Sequence, residues 1–142
     1  MTTIDPVQAW SEHTVAIVTA DAELRTLMGR PSGLIVPWST FTLDGPLPVI
    51  CYAEIAGPSP LSSRTQRFSA GFAVFAASRS LANTICKRLD NLLKYPAYAA
   101  RGADIARDPA SPADRSWPPA EPRQDDAAQF RADVDLTFLV PG

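Results

Sequence analysis

The chain has one histidine, two cysteines and no excess of basic residues, and each shortage narrows what it can do. His13 lies three residues after Trp10 and four before Ile17, at the border of an apolar stripe. No nucleophile or orienting acid is singled out for it, so it reads as boundary packing and not as a catalytic base. Cys51, in VICYA, and Cys86, in TICKR, have apolar neighbours and read as two buried free thiols. Thirteen Lys and Arg against fifteen Asp and Glu leave a net charge of −2, which gives no electrostatic footprint for nucleic acid. No apolar run approaches the roughly 20 residues that span a bilayer. The start, MTTIDPVQAWSEH, has neither a basic lead nor an apolar signal core, so the expectation is a soluble protein made in a cytoplasm. The G-x-S-x-G elbow, the phosphate loop, the dinucleotide fingerprint and any internal repeat are all missing. Composition and spacing therefore assign no catalytic, cofactor-binding or metal-ligating residue.

What is present is a strongly patterned scaffold. A chain of 142 residues fits one domain and buries roughly two thirds of the surface its unfolded form exposes. Residues 65–77 place Phe68, Ala70, Phe72 and Val74 on one side with period two. Directly afterwards, Leu81, Ile85, Leu89, Leu92 and Leu93 fall on one helical face over 80–94. A strand thus runs straight into an amphipathic helix that can fold back over the same sheet. Asp5-Pro6 starts a first helix over 6–19, with Val7, Trp10, Thr14, Ile17 and Val18 on one face. A second short helix, AELRTLM, is capped by Asp21 and ended by Gly29.

The spacing predicts a brief strand at LIV (34–36), a turn at Asp44-Gly45-Pro46, a strand over 49–56 and an exposed hairpin tip over 57–64. AYAARGADIARD reads as a strand with small side chains. Five prolines between Pro109 and Pro122 mark a long loop or arm, at about 109–126, that forms no element of its own. The last strand is the clearest. Phe130, Ala132, Val134, Leu136, Phe138 and Val140 alternate with Gln129, Arg131, Asp133, Asp135 and Thr137. The expected class is α+β, a mainly antiparallel sheet with helices packed on one face, including an N-terminal helix and one central helix.

Four places in the pattern bear on function. Asp133 and Asp135 lie about 7 Å apart on one strand face, with Arg131 beside them. That spacing suits a solvated charge pair, a subunit or lumen surface, or a hard cation. Arg64 and Arg67 border the hairpin tip, either as charges that protect it or as contacts for a partner. Trp117, in RSWPPAEP, is a large ring among prolines and charges that must fold back on its own subunit or bury itself in another.

Along most of its length the chain resembles the tail-completion or tail-terminator proteins of long-tailed bacteriophages and related gene-transfer particles. The resemblance runs through DAELRTLMGR (21–30), GPLPVICYAE (45–54), SLANTICKRL (80–89) and IARDP (105–109). The proline-rich arm is longer than the turn common in that family. Membership implies a virion protein without enzymatic activity or cofactor, in a ring, typically a hexamer, at the head-proximal end of the tail. Such a ring ends polymerisation of the tail-tube protein and meets the head connector or neck protein, with DNA passing through unbound and no membrane contact. Arg64, Arg67 and Trp117 would then be interface residues, and Arg131, Asp133 and Asp135 a lumen or subunit face. A head-completion or neck protein of the same kind of particle is the alternative, and a small α+β enzyme or ligand-binding domain a further one.

Overall fold

The computed structural model describes residues 6–40, 46–116, 122–123 and 126–141. The helices form where the pattern places them. Helix α1 spans Pro6–Ala20, and α2 spans Ala22–Met28. The Asp21 carboxylate accepts the Leu24 N–H at 3.0 Å, which caps α2 at its start. Gly29 ends it in the left-handed region, φ 70°, where a side chain would be strained. Helix α3 spans Arg79–Leu92, with Ser78 accepting the Leu81 N–H at its start. The expected cap Asp5 lies outside the described residues, as do Asp44 and Gly45 of the expected turn.

Strands β1 (Ile35–Pro37), β2 (Val49–Pro60), β3 (Thr65–Ala76), β4 (Ala106–Arg107), β5 (Asp114–Ser116), β6 (Pro122–Arg123) and β7 (Asp126–Pro141) make one sheet. Its main path is β1-β2-β3-β7-β4, with β5 and β6 pairing β7. The class is α+β, with the α-helices roughly on one side of a sheet that is antiparallel except at one edge.

The even positions of β3 and β7 face the helices. Phe68, Phe72, Val74, Val134, Leu136 and Phe138 are all buried there, as the period-two pattern requires. Trp10 of α1 is the hub of this core, with ring centroids 5.1 Å from Phe68, 5.2 Å from Phe138, 5.9 Å from Tyr52 and 6.0 Å from Phe72. Ile85, Cys86 and Leu89 bring α3 onto the same core. Polar ties hold the layers in register. Thr14 and Tyr98 share a buried hydroxyl hydrogen bond of 2.8 Å, and Ser11 and Tyr52 share one of 2.6 Å. Arg88 of α3 reaches Asp21 through Nε at 3.0 Å and Nη2 at 2.7 Å, joining α3 to the cap of α2. Arg107 meets Asp90 at 3.0 Å and joins β4 to α3.

Strand β1 pairs β2 in parallel, an exception at one edge of the mainly antiparallel sheet. Three expectations are corrected. The hairpin tip is shorter than 57–64, since β2 continues to Pro60 and only 61–64 turn. Two register shifts, between Glu54 and Ala56 and between Ala56 and Ser59, let β2 carry Gly57 and Pro58 and still pair Ser59 with Arg67. The segment after α3 begins as a short helix, α4 (Tyr95–Ala99), and its only strand is the two-residue β4. Pro96 sits in the first turn of α4, where its missing N–H costs nothing. Finally, the proline-rich arm is not without elements. Within it β5 and β6 both pair with β7, whose residues 130–141 also pair with β3.

Candidate functional site

The odd positions of β3 and β7 face away from the helices, and the strand register lays them out as a ladder. From the hairpin inward, the opposed pairs are Arg67 with Leu139, Ser69 with Thr137, Gly71 with Asp135, Ala73 with Asp133 and Phe75 with Arg131. The ladder begins polar, with Ser69 Oγ 2.9 Å from Thr137 Oγ1. It ends in a small apolar cluster of Val49, Cys51, Ala73 and Phe75, flanked by Val36 and Leu47. Among the described residues no α-helix packs on this face.

Its centre is a shallow depression of about 230 Å³. Three small residues, Ala53, Gly71 and Ala73, lower the floor, and Trp38, Ile55, Asp133 and Asp135 rise around it. Trp38 stacks on Phe75 with centroids 6.2 Å apart, and the Arg131 guanidinium lies 5.4 Å from the Trp38 ring and 5.7 Å from that of Phe75. Arg131 Nε also donates to Asp133 Oδ1 at 2.8 Å. The three residues singled out on β7 therefore sit together, Arg131 and Asp133 as an ion pair and Asp135 opposite Gly71. Cys51, in the floor, is a free thiol pushed up to about 11 by burial, with nearby Arg131 opposing the shift. A thiol so placed is inert as a nucleophile at neutral pH.

The tip residues are well separated from this depression. Arg64 is exposed in the turn that follows β2, and Leu61 beside it is 50% exposed. Arg67 has a different role from Arg64, because its Nε meets the buried Asp108 carboxylate at 2.9 Å. Asp108 in turn accepts the Ala110 N–H at 2.9 Å, and its own N–H donates to Thr137. Arg67 thus ties the hairpin to the turn after β4. Trp117 lies outside the described residues. His13 accepts a hydrogen bond from Arg101 at 3.2 Å, which is a surface contact between α1 and the segment after α4.

The residues missed from the sequence are Trp38, Ile55 and Gly71. Trp38 follows Pro37 in VPWST, and an aromatic ring just past a strand end was the available signal. Ile55 and Gly71 gave none, because their closeness comes from the bulged register of β2 on β3. Among the described residues, no three His, Cys, Asp or Glu side chains converge to hold a metal ion, and no helix is long and apolar enough to cross a membrane. Compared with protein-family models and with curated proteins, the chain matches none.

Proposed function

We propose that this is a structural joining protein of a phage-type particle: a ring at the head-proximal end of a tail that ends tube growth and meets the head connector. The observation that carries this reading is the sheet face on which no described α-helix packs. It gathers Trp38, 46% exposed, and Ile55, 53% exposed, around a charged ladder. A large apolar side chain gains roughly 1.5–3 kcal/mol when fully buried, so a face of this make-up suits a protein neighbour. The β2–β3 hairpin is a second and unlike surface at another place on the subunit. Two unlike surfaces on one subunit are what head-to-tail rings use. The placement on a tail rests on the resemblance of residues 21–30, 45–54, 80–89 and 105–109 to tail terminators. The exposed Trp38 and Ile55 favour a subunit boundary, over a DNA-facing lumen, for Arg131, Asp133 and Asp135. In this reading the ring needs neither catalysis nor a cofactor, and DNA passes through it without specific contacts.

The test is to add the purified protein to its polymerising tail-tube protein and measure tube lengths by electron microscopy. The expected result is shorter tubes that carry extra density at one end. Unchanged tubes together with binding to the head connector would move the protein to the neck, and binding to neither would refute the reading.

A further inference from the structure

The whole-chain charge of −2 averages over an uneven distribution. Residues 60–107 carry eight Lys and Arg against two Asp, a net charge of +6, while residues 1–59 and residues 108–142 each carry −4. Folding uses part of that excess inside the subunit. Arg67 pairs with Asp108, Arg88 with Asp21 and Glu23, and Arg107 with Asp90. Arg79, Lys87 and Lys94 are exposed and make no ion pair with any described residue. Of the two acids in the block, Asp90 is held by Arg107, and Asp104 lies beyond α4.

These three cations gather along α3 and at its junction with α4. Ser80, Thr84, Lys87 and Asn91 recur every three or four residues and are all exposed, directly opposite Ala82, Ile85, Cys86 and Leu89, which face the core. Thr84 donates its hydroxyl to Ser80 O at 2.8 Å, which leaves Ser80, Lys87 and Asn91 as outward donors. Arg79 stands beside Ser80, eight residues and about 12 Å along the helix from Lys87. Lys94 and Tyr95, 52% exposed, follow where α4 begins, and the Lys94 side chain makes no cap there. The outward stripe holds no carboxylate and no aliphatic side chain. Lys, Arg, Ser, Asn and Tyr are the side chains that contact phosphate and sugar oxygens of DNA. The core of a protein interface is built differently, on apolar anchors and with Lys depleted.

We propose that the outer face of α3, with Lys94 and Tyr95 after it, is a contact surface for the phosphate backbone of duplex DNA. Phosphates carry no base information, so the contact is independent of sequence, weakens with salt and lets the duplex slide. The proposal goes beyond the ring reading, which needs no DNA contact, and it does not depend on that reading. Within a ring, it turns the helix layer toward the passing duplex.

The experiment is fluorescence anisotropy of a short labelled duplex of mixed sequence with the full-length protein, over a salt series. Three phosphate contacts predict a log–log salt slope of about −2.7, a loss of roughly fortyfold in affinity between about 50 and 200 mM salt. Lys87→Gln with Lys94→Gln removes two exposed charges, and it should weaken binding at low salt at least tenfold and bring the slope to about −0.9. Arg64→Gln, at the hairpin tip, should leave affinity and slope unchanged. An unchanged urea midpoint in the double variant shows that its fold is intact. No binding at low salt overturns the proposal, as does binding whose affinity and slope survive the double variant. Binding to poly-glutamate but not to the duplex also overturns it, and points to an acidic protein partner. Capping of the tail tube decides the ring reading separately.

Discussion

Trp10 shows how much one residue can hold. Its indole touches four rings from three strands, so it clamps α1 to the middle of the sheet. Trp10→Ala should cost about 3–5 kcal/mol, read as a lower urea midpoint with an unchanged slope. Asp21 has two duties, capping α2 and receiving Arg88. The Arg88 hydrogen bonds are the main cause that holds its carboxyl below the ordinary value of 3.8, against the opposing effect of burial. Asp21→Asn keeps a cap and removes the ion pair, so it should cost about 1–2 kcal/mol at neutral pH, allowing for the part-exposed Arg88. Because the folded value is depressed, that contribution is complete above the unfolded carboxylate pKa and is lost as pH falls through the folded one. Urea unfolding of wild type and variant should therefore differ by a constant amount at pH 6–8 and converge in acid below about pH 4. At this scale Trp10 was legible in the sequence, since it heads a helical stripe. The Asp21–Arg88 tie was not, because it joins residues 67 positions apart.

Elements were legible where one period ran unbroken. β3, β7, α1 and α3 each bury one face against the same core, and alternation or helical spacing states that face outright. Elements built around proline were not. β2 was expected to stop before Gly57, yet it runs on because that stretch lies beyond β1, whose pairing ends at Tyr52. There the N–H groups that Pro58 and Pro60 lack are not asked for by a partner in the β1 register. Gly57 makes this possible. Its φ of 103° belongs to glycine, and a Cβ there would come within 2.8 Å of Arg67 O and Phe68 Cβ. Gly57→Ala should cost about 1–3 kcal/mol and loosen the hairpin, visible as faster amide exchange over 55–68. Arg67→Ala tests the other restraint on the same element. It would leave the buried Asp108 carboxylate without its cation, and the loss should be about 1–2 kcal/mol given the half-exposed arginine. The candidate face was half legible for the same reason: Arg131, Asp133 and Asp135 follow from alternation within β7, whereas Trp38, Ile55 and Gly71 join them only through the register of several strands.

For the whole molecule, the arrangement is one sheet with helices on one side, a charged and apolar face on the other, and a paired hairpin extending to a basic tip. The helices and Trp10 give the subunit its stability. The two unlike surfaces remain as the ones that the proposed ring would use. The central claim is the ring, so the most direct measurement is the mass of the purified full-length protein by light scattering, together with electron microscopy of the same sample with and without the tail-tube protein. The account predicts closed rings, hexamers of the 15.3 kDa subunit, either free or on the tube ends. A protein that stays monomeric, leaves tube length unchanged and adds no density to the tube ends would contradict it.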